Sequence, residues 1–134
     1  MNELAFFEDY CSHFNNQDLQ ALGDCFSGPL SIYLPDGDNH MFQSRQEMDE
    51  NNQRLFDLYN ELGFHKADFN LLSIINLAKR QFLCQLRWIF MDKRSKVLTT
   101  FETSYLLSGE KGNYSITAVF VKDELEKLDA LKAQ

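Results

Sequence analysis

The sequence predicts an α+β fold in which N-terminal helices pack inside a curved antiparallel sheet. Three observations carry that prediction. Apolar residues recur at helical spacing as far as Gly63 and at alternating spacing from Phe64 onward, so helices precede the long strands instead of interleaving with them. The alternating segments are long, and the twist of long strands coils a sheet around whatever packs on it. The chain of 134 residues suits one domain, residues 1–134, and a domain of this length buries roughly 68% of the surface that its unfolded form exposes.

In chain order, Phe7, Tyr10, Cys11 and Phe14 fall on one face of a first helix, which Asn15-Asn16-Gln17 interrupts. Asp18 stands where it can cap a second short helix with Leu19, Leu22 and Phe26 as its stripe. Gly28-Pro29 is expected to close that helix, because proline cannot continue it and glycine permits the reversal. Leu30 to Leu34 alternates as a short strand, Pro35-Asp36-Gly37-Asp38 makes a turn, and His40-Met41-Phe42 returns the chain. Ser44 and Glu47 form a capping box that opens the longest helix, with Met48, Leu55, Tyr59 and Leu62 on its apolar side and Gly63 as its stop.

Beyond Gly63 four long strands follow in a meander. One face is read as His65, Ala67, Phe69, Leu71, Ser73, Ile75 and Leu77 on the first strand, and Phe82, Cys84, Leu86, Trp88 and Phe90 on the second. It continues as Val97, Thr99, Phe101, Thr103, Tyr105 and Leu107 on the third, and Tyr114, Ile116, Ala118 and Phe120 on the fourth. Ser108–Asn113 is the turn between the last two strands, and the tail from Asp123 reads as a short exposed helix.

Composition excludes several classes of function. Twenty acidic against thirteen basic side chains leave a formal charge of −7, a field that repels a phosphate backbone, so no nucleic-acid partner is expected. The basic run Lys93-Arg94-Ser95-Lys96 lies between two strands and reads as a solvated hairpin tip. Cys11, Cys25 and Cys84 have neither metal-ligand spacing nor a CxxC pair, so reduced thiols in a reducing compartment are expected, with no metal and no cofactor. The start of the chain does not read as a secretory leader, and no apolar run approaches the ~20 residues of a membrane span. Together these readings give an expected cytoplasmic location without membrane association.

The order of elements resembles the nuclear transport factor 2-like superfamily, which includes ketosteroid isomerase and the SnoaL-like polyketide cyclases. The likeness runs from about Phe6 to Val121. Its local pieces are Tyr10-Cys11-Ser12-His13-Phe14-Asn15-Asn16-Gln17-Asp18-Leu19, an aromatic helix that breaks and restarts at Asp-Leu, and the final strand Ser115-Ile116-Thr117-Ala118-Val119-Phe120. The resemblance implies a cystatin-like cone with Tyr10, Phe14, Leu34, Trp88, Phe101, Thr103, Tyr105 and Phe120 pointing into it.

A ketosteroid isomerase needs a carboxylate base and an oxyanion hole built from a tyrosine and a protonated aspartic acid. The resemblance puts Tyr10 at the tyrosine, but Leu34 stands at the base and Thr103 at the acid, so that acid–base set is incomplete. The substitutes open to the sequence are Asp36 in the turn and His13 one helical turn from Tyr10. The Asp-Arg-Asp set of the superfamily's epoxide hydrolases finds only Arg87 and Glu102, both on the outer parity.

That outer parity carries Leu72, Ile74, Leu83, Ile89, Met91, Leu98, Leu106, Val119 and Val121. An apolar face of this kind is expected to be covered, and members of the superfamily commonly pair through it. A homodimer using Leu83, Arg87, Ile89, Glu102 and Val119 is therefore expected. The reading that follows is a dimeric domain that binds a small apolar or amphipathic molecule in its cone. The alternatives are an isomerase, dehydratase or cyclase with a non-standard acid–base pair, and a module that binds a protein partner.

Overall fold

The computed structural model describes residues 2–134. In order they form α1 (Glu3–Asn15), α2 (Leu19–Gly23), β1 (Phe26–Tyr33), β2 (Asn39–Phe42), α3 (Arg45–Glu61), β3 (Lys66–Ala78), β4 (Gln81–Met91), β5 (Val97–Glu110), β6 (Asn113–Val121) and α4 (Glu124–Lys132). The six strands make one sheet ordered β2-β1-β6-β5-β4-β3. Neighbouring strands are antiparallel except β1 and β6, which run parallel, so the expected all-antiparallel sheet is amended at that junction.

Capping sets the helix starts. Asn2, Asp18 and Ser44 each accept a backbone N–H three residues on, from Ala5, Ala21 and Glu47. α1 buries Phe6, Phe7, Tyr10 and Cys11, spaced to share one face. Its end is pinned to the sheet by Asn15, whose Nδ2 donates to the Ala67 carbonyl at 2.9 Å while its Oδ1 accepts the Ala67 N–H at 2.7 Å. The Asn15 amide thus takes the place of a strand neighbour at the sheet's edge. α2 is tied to α3 by Arg45, which bonds the Gln20 carbonyl, Asp24 and Asp49.

Gly28-Pro29 does not close the second helix. That helix already ends at Gly23, and Phe26 lies in β1 opposite Ile116 instead of on a helical stripe. The β1–β6 register shifts between Phe26 and Ser31, and a proline, which cannot donate to a ladder, fits within such an irregularity. Leu34 lies past the end of β1, where its carbonyl accepts the Gly37 N–H at 3.0 Å as part of the turn.

Bulges in three ladders change which way side chains face; in β4–β5, Phe90 opposes Thr99 but Met91 opposes Val97, so Val97 leaves the inner face it was assigned. In the β5–β6 ladder Leu106 opposes Ala118 but Leu107 opposes Ile116, leaving Thr117 as the extra residue. Ile116 therefore faces inward with Leu107, and beyond Thr117 the inward residues are Val119, opposite Tyr105, and Val121, opposite Thr103. Phe120 is turned outward, where its ring stacks on Tyr33 at 5.0 Å between centroids. In the β3–β4 ladder Leu71 opposes Leu86 but Ser73 opposes Gln85, so Ser73 and Ile75 join the outer parity and Ile74 leaves it.

The tail helix is also not simply exposed. Leu128 of α4 is 3% accessible and belongs to the core, and Asp123 accepts the Glu102 N–H at 2.9 Å, which anchors the start of α4 to β5.

Candidate functional site

The concave face of the sheet, α1, α3 and the start of α4 enclose a cavity of about 110 Å³. α1 contributes Tyr10 and Phe14, and α3 contributes Met48, Leu55, Phe56 and Tyr59. Further lining comes from Asn51 and Asn52 of α3, Leu22 of α2, Phe26, Leu30 and Ile32 of β1, Phe42 of β2, Trp88 and Phe90 of β4, Phe101, Thr103 and Tyr105 of β5, and Val119 and Val121 of β6. The rings pack as a continuous shell. Phe14 stacks on Trp88 at 5.8 Å, Tyr10 lies 5.9 Å from both Trp88 and Tyr105, and Phe101 meets Phe90 edge-on at 5.0 Å. Such pairs add about 0.5–1.5 kcal/mol each beyond their buried area and hold the shell in one arrangement.

Polar atoms gather on part of this wall. Trp88 Nε1 donates to the Tyr105 hydroxyl at 2.9 Å, which leaves that hydroxyl's own proton free to donate. Thr103 Oγ1, on a side chain 3% exposed, is buried without a well-formed hydrogen bond among the described residues, although the Tyr105 hydroxyl is its neighbour. Glu124, the first residue of α4, turns its carboxyl into the cavity wall, where Oε2 accepts a hydrogen bond from the Tyr59 hydroxyl.

Burial dominates the electrostatics here. It raises the Glu124 carboxyl above the ordinary range, Asp123 beside it adds to the rise, and the Tyr59 hydrogen bond works in the opposite direction. Burial likewise raises the Tyr10 and Tyr59 phenols, with the nearby Glu124 charge contributing to both, and it raises Tyr105. These three hydroxyls stay protonated at neutral pH and act as donors. No Lys, Arg or His is among the residues that line the cavity, so no cationic side chain balances Glu124 there.

Of the side chains expected to point inward, Tyr10, Phe14, Trp88, Phe101, Thr103 and Tyr105 line the cavity; Leu34 and Phe120 do not. Leu34 is held in the turn, and the Thr117 bulge reverses Phe120. Val119, assigned to the outer face from the sequence, lines the cavity for the same reason.

The substitutes for a base are also displaced. Asp36 is exposed and accepts the Asp38 N–H at 3.0 Å within its own turn, and His13, half-buried on α1, is not among the lining residues. Glu124 is the carboxylate that sequence reasoning missed. It sits in a charged tail with no local mark of burial, and the inward turn of Val121 that leads to it depends on the bulge.

Among the described residues no group of three or more His, Cys, Asp or Glu side chains could hold a metal ion. Cys11, Cys25 and Cys84 are free, and burial pushes each thiol up to about 11, so none is a ready nucleophile at neutral pH. Among the described residues no helix is long and apolar enough to cross a membrane.

Solved structures, one of them described as having a cystatin-like fold, share this α+β arrangement. A cystatin-like domain of unknown function from Nostoc punctiforme is 13% identical with a TM-score of 0.69, covering 96% of this chain and 80% of its own. An NTF-2 like protein of unknown function from Shewanella oneidensis is 16% identical with a TM-score of 0.69, covering 90% and 95%. A ketosteroid isomerase-like protein from Erwinia carotovora atroseptica is 13% identical with a TM-score of 0.64, covering 91% and 97%. At such identities the likeness is one of fold. No curated protein matches the chain. Residues 4–124 match the family described as NTF2-like protein (DUF6841), and the chain belongs to that family.

Proposed function

We propose that the protein binds a small, mostly apolar molecule inside the cone, with the polar end of the ligand against Tyr10, Thr103, Tyr105 and Glu124. The observation that supports this reading most directly is the hollow itself, about 110 Å³ within an aromatic and aliphatic shell. An engineered apolar cavity of about 150 Å³ takes up benzene, whereas pockets for drug-sized ligands run to about 300–1,000 Å³. A ring of five or six atoms therefore fits, and a steroid does not unless the walls move. A few convergent polar groups on an otherwise apolar wall are how such sites orient a ligand.

The domain is further proposed to act as a homodimer, with a second copy covering the outer face of the sheet. Leu83, Ile89 and Leu106 are half-buried there, Tyr33 and Phe120 form an exposed stacked pair, and Arg87 is bonded to Glu102 at 3.1 Å across the ladder. A face carrying both signs of charge around apolar residues can complement itself across a twofold axis.

Trp88 is the one tryptophan and lines the cavity, so its fluorescence reports occupancy. Titration with small cyclic alcohols is expected to shift that fluorescence saturably. At a concentration of 100 Kd the same ligands should stabilise the fold by about 2.7 kcal/mol, on the order of 8 °C in Tm. Unchanged fluorescence and melting across such compounds would rule the binding reading out.

A further inference from the structure

The binding reading leaves Glu124 unexplained. A carboxyl group turned into a wall of rings has a cost that an apolar side chain of similar size would avoid, and the cavity wall supplies it with no cation. Glu124 is half-buried: Tyr59 donates to Oε2, and Oε1 keeps accessible surface and makes no hydrogen bond among the described residues. Tyr10, Tyr59, Trp88 and Tyr105 line the same cavity, and aromatic faces attract a positive charge. An acceptor oxygen without a partner, electron-rich walls and the absence of any lining cation select together for one kind of ligand head group.

Resting on the cavity as a ligand site, we propose that its ligand is a small organic amine, bound as the ammonium ion to Glu124 with its hydrocarbon part among the rings. The ammonium donates to Glu124 Oε1, and the aromatic faces supply cation–π attraction. The chain's formal charge of −7 favours the approach of a cation. The cavity volume limits the hydrocarbon part to about the size of a five- or six-membered ring. A neutral isostere fills the same space but leaves the carboxyl with no charge partner, and this sets the preference between them.

The test compares cyclopentylamine with cyclopentanol at neutral pH, read by Trp88 fluorescence. The amine is expected to bind about 10–100-fold more tightly, the range that hydrogen bonds to charged groups supply. In Glu124→Gln, which keeps the shape and an acceptor for Tyr59, that advantage should disappear. The control Glu126→Gln, on the exposed side of the same helix, should leave the preference intact. A readout that needs no variant is the carbon-13 resonance of the Glu124 carboxyl in the wild-type protein, which the amine should move and the alcohol should not. Equal binding of the two compounds, an amine preference that survives in Glu124→Gln, or an unmoved carboxyl resonance each overturns the proposal while cyclopentanol binding keeps the cone as a ligand site. Failure of both compounds to bind removes the proposal and the site together.

Discussion

At the scale of single residues, Glu124 decides the character of the site. Its carboxyl is raised by burial, so the folded state holds the proton more tightly than the unfolded chain does. A group raised in this way contributes stability that is complete below its ordinary value of 4.5 and is lost as pH rises through the raised value. Tyr10, Tyr59 and Tyr105 face it and stay neutral over that window, and Asp123 beside it strengthens the effect. Glu124→Gln should therefore match the wild type near pH 4 and surpass it near pH 8, by about 1.4 kcal/mol for each tenfold increase in the carboxyl's proton affinity. Urea unfolding at the two pH values measures this, and a variant no more stable at pH 8 than at pH 4, relative to wild type, contradicts it.

Thr103 supplies a second test at this scale. Its buried hydroxyl has no well-formed partner, so Thr103→Val removes a desolvated polar group at little change of shape. The empty protein should gain about 1 kcal/mol, seen as a higher urea midpoint at unchanged slope. The part of the lining on β4 and β5 was legible in the sequence, because alternation alone turned Trp88, Phe101, Thr103 and Tyr105 to one side. Glu124 was not, because its burial comes from where the chain arrives and not from its neighbours in sequence.

At the scale of elements, capping and periodicity made the three helices before β3 and the four long strands readable, since Asp18 and Ser44 cap where the spacing placed them. The bulges at Thr117 and Leu72 left no such mark. An extra residue in a strand changes neither composition nor propensity, yet it reverses every side chain beyond it. Phe120, Val119 and Ile75 changed faces for this reason alone.

The junction between α1 and β3 rests on the paired hydrogen bonds of Asn15 with Ala67. Asn15→Ala removes the partner of the Ala67 N–H and leaves its carbonyl only the Cys11 thiol at 3.5 Å, and should cost about 1–3 kcal/mol in urea unfolding. Hydrogen exchange at the Ala67 amide should speed up by more than exchange in the middle of β5. A loss spread evenly over the sheet would show that the bond does not pin this edge.

At the scale of the molecule, the sheet separates two environments. Its concave side surrounds the hollow with α1, α3 and the start of α4. Its convex side carries Leu83, Ile89 and Leu106, each half-buried. Pairing of two copies through that face predicts a dimer in sedimentation. It also predicts that Leu83→Lys, which places a charge among these residues, shifts the equilibrium toward monomer while Trp88 fluorescence is unchanged. A wild-type protein that sediments as a monomer at tens of micromolar contradicts the pairing.

A crystal of the protein soaked with cyclopentanol or cyclopentylamine examines the hollow directly. Density is expected for one ring packed between Trp88 and Phe101, with its polar atom about 3 Å from Thr103 Oγ1, the Tyr105 hydroxyl or Glu124 Oε1. A hollow that holds only ordered water, or whose side chains have closed over the space, would contradict it.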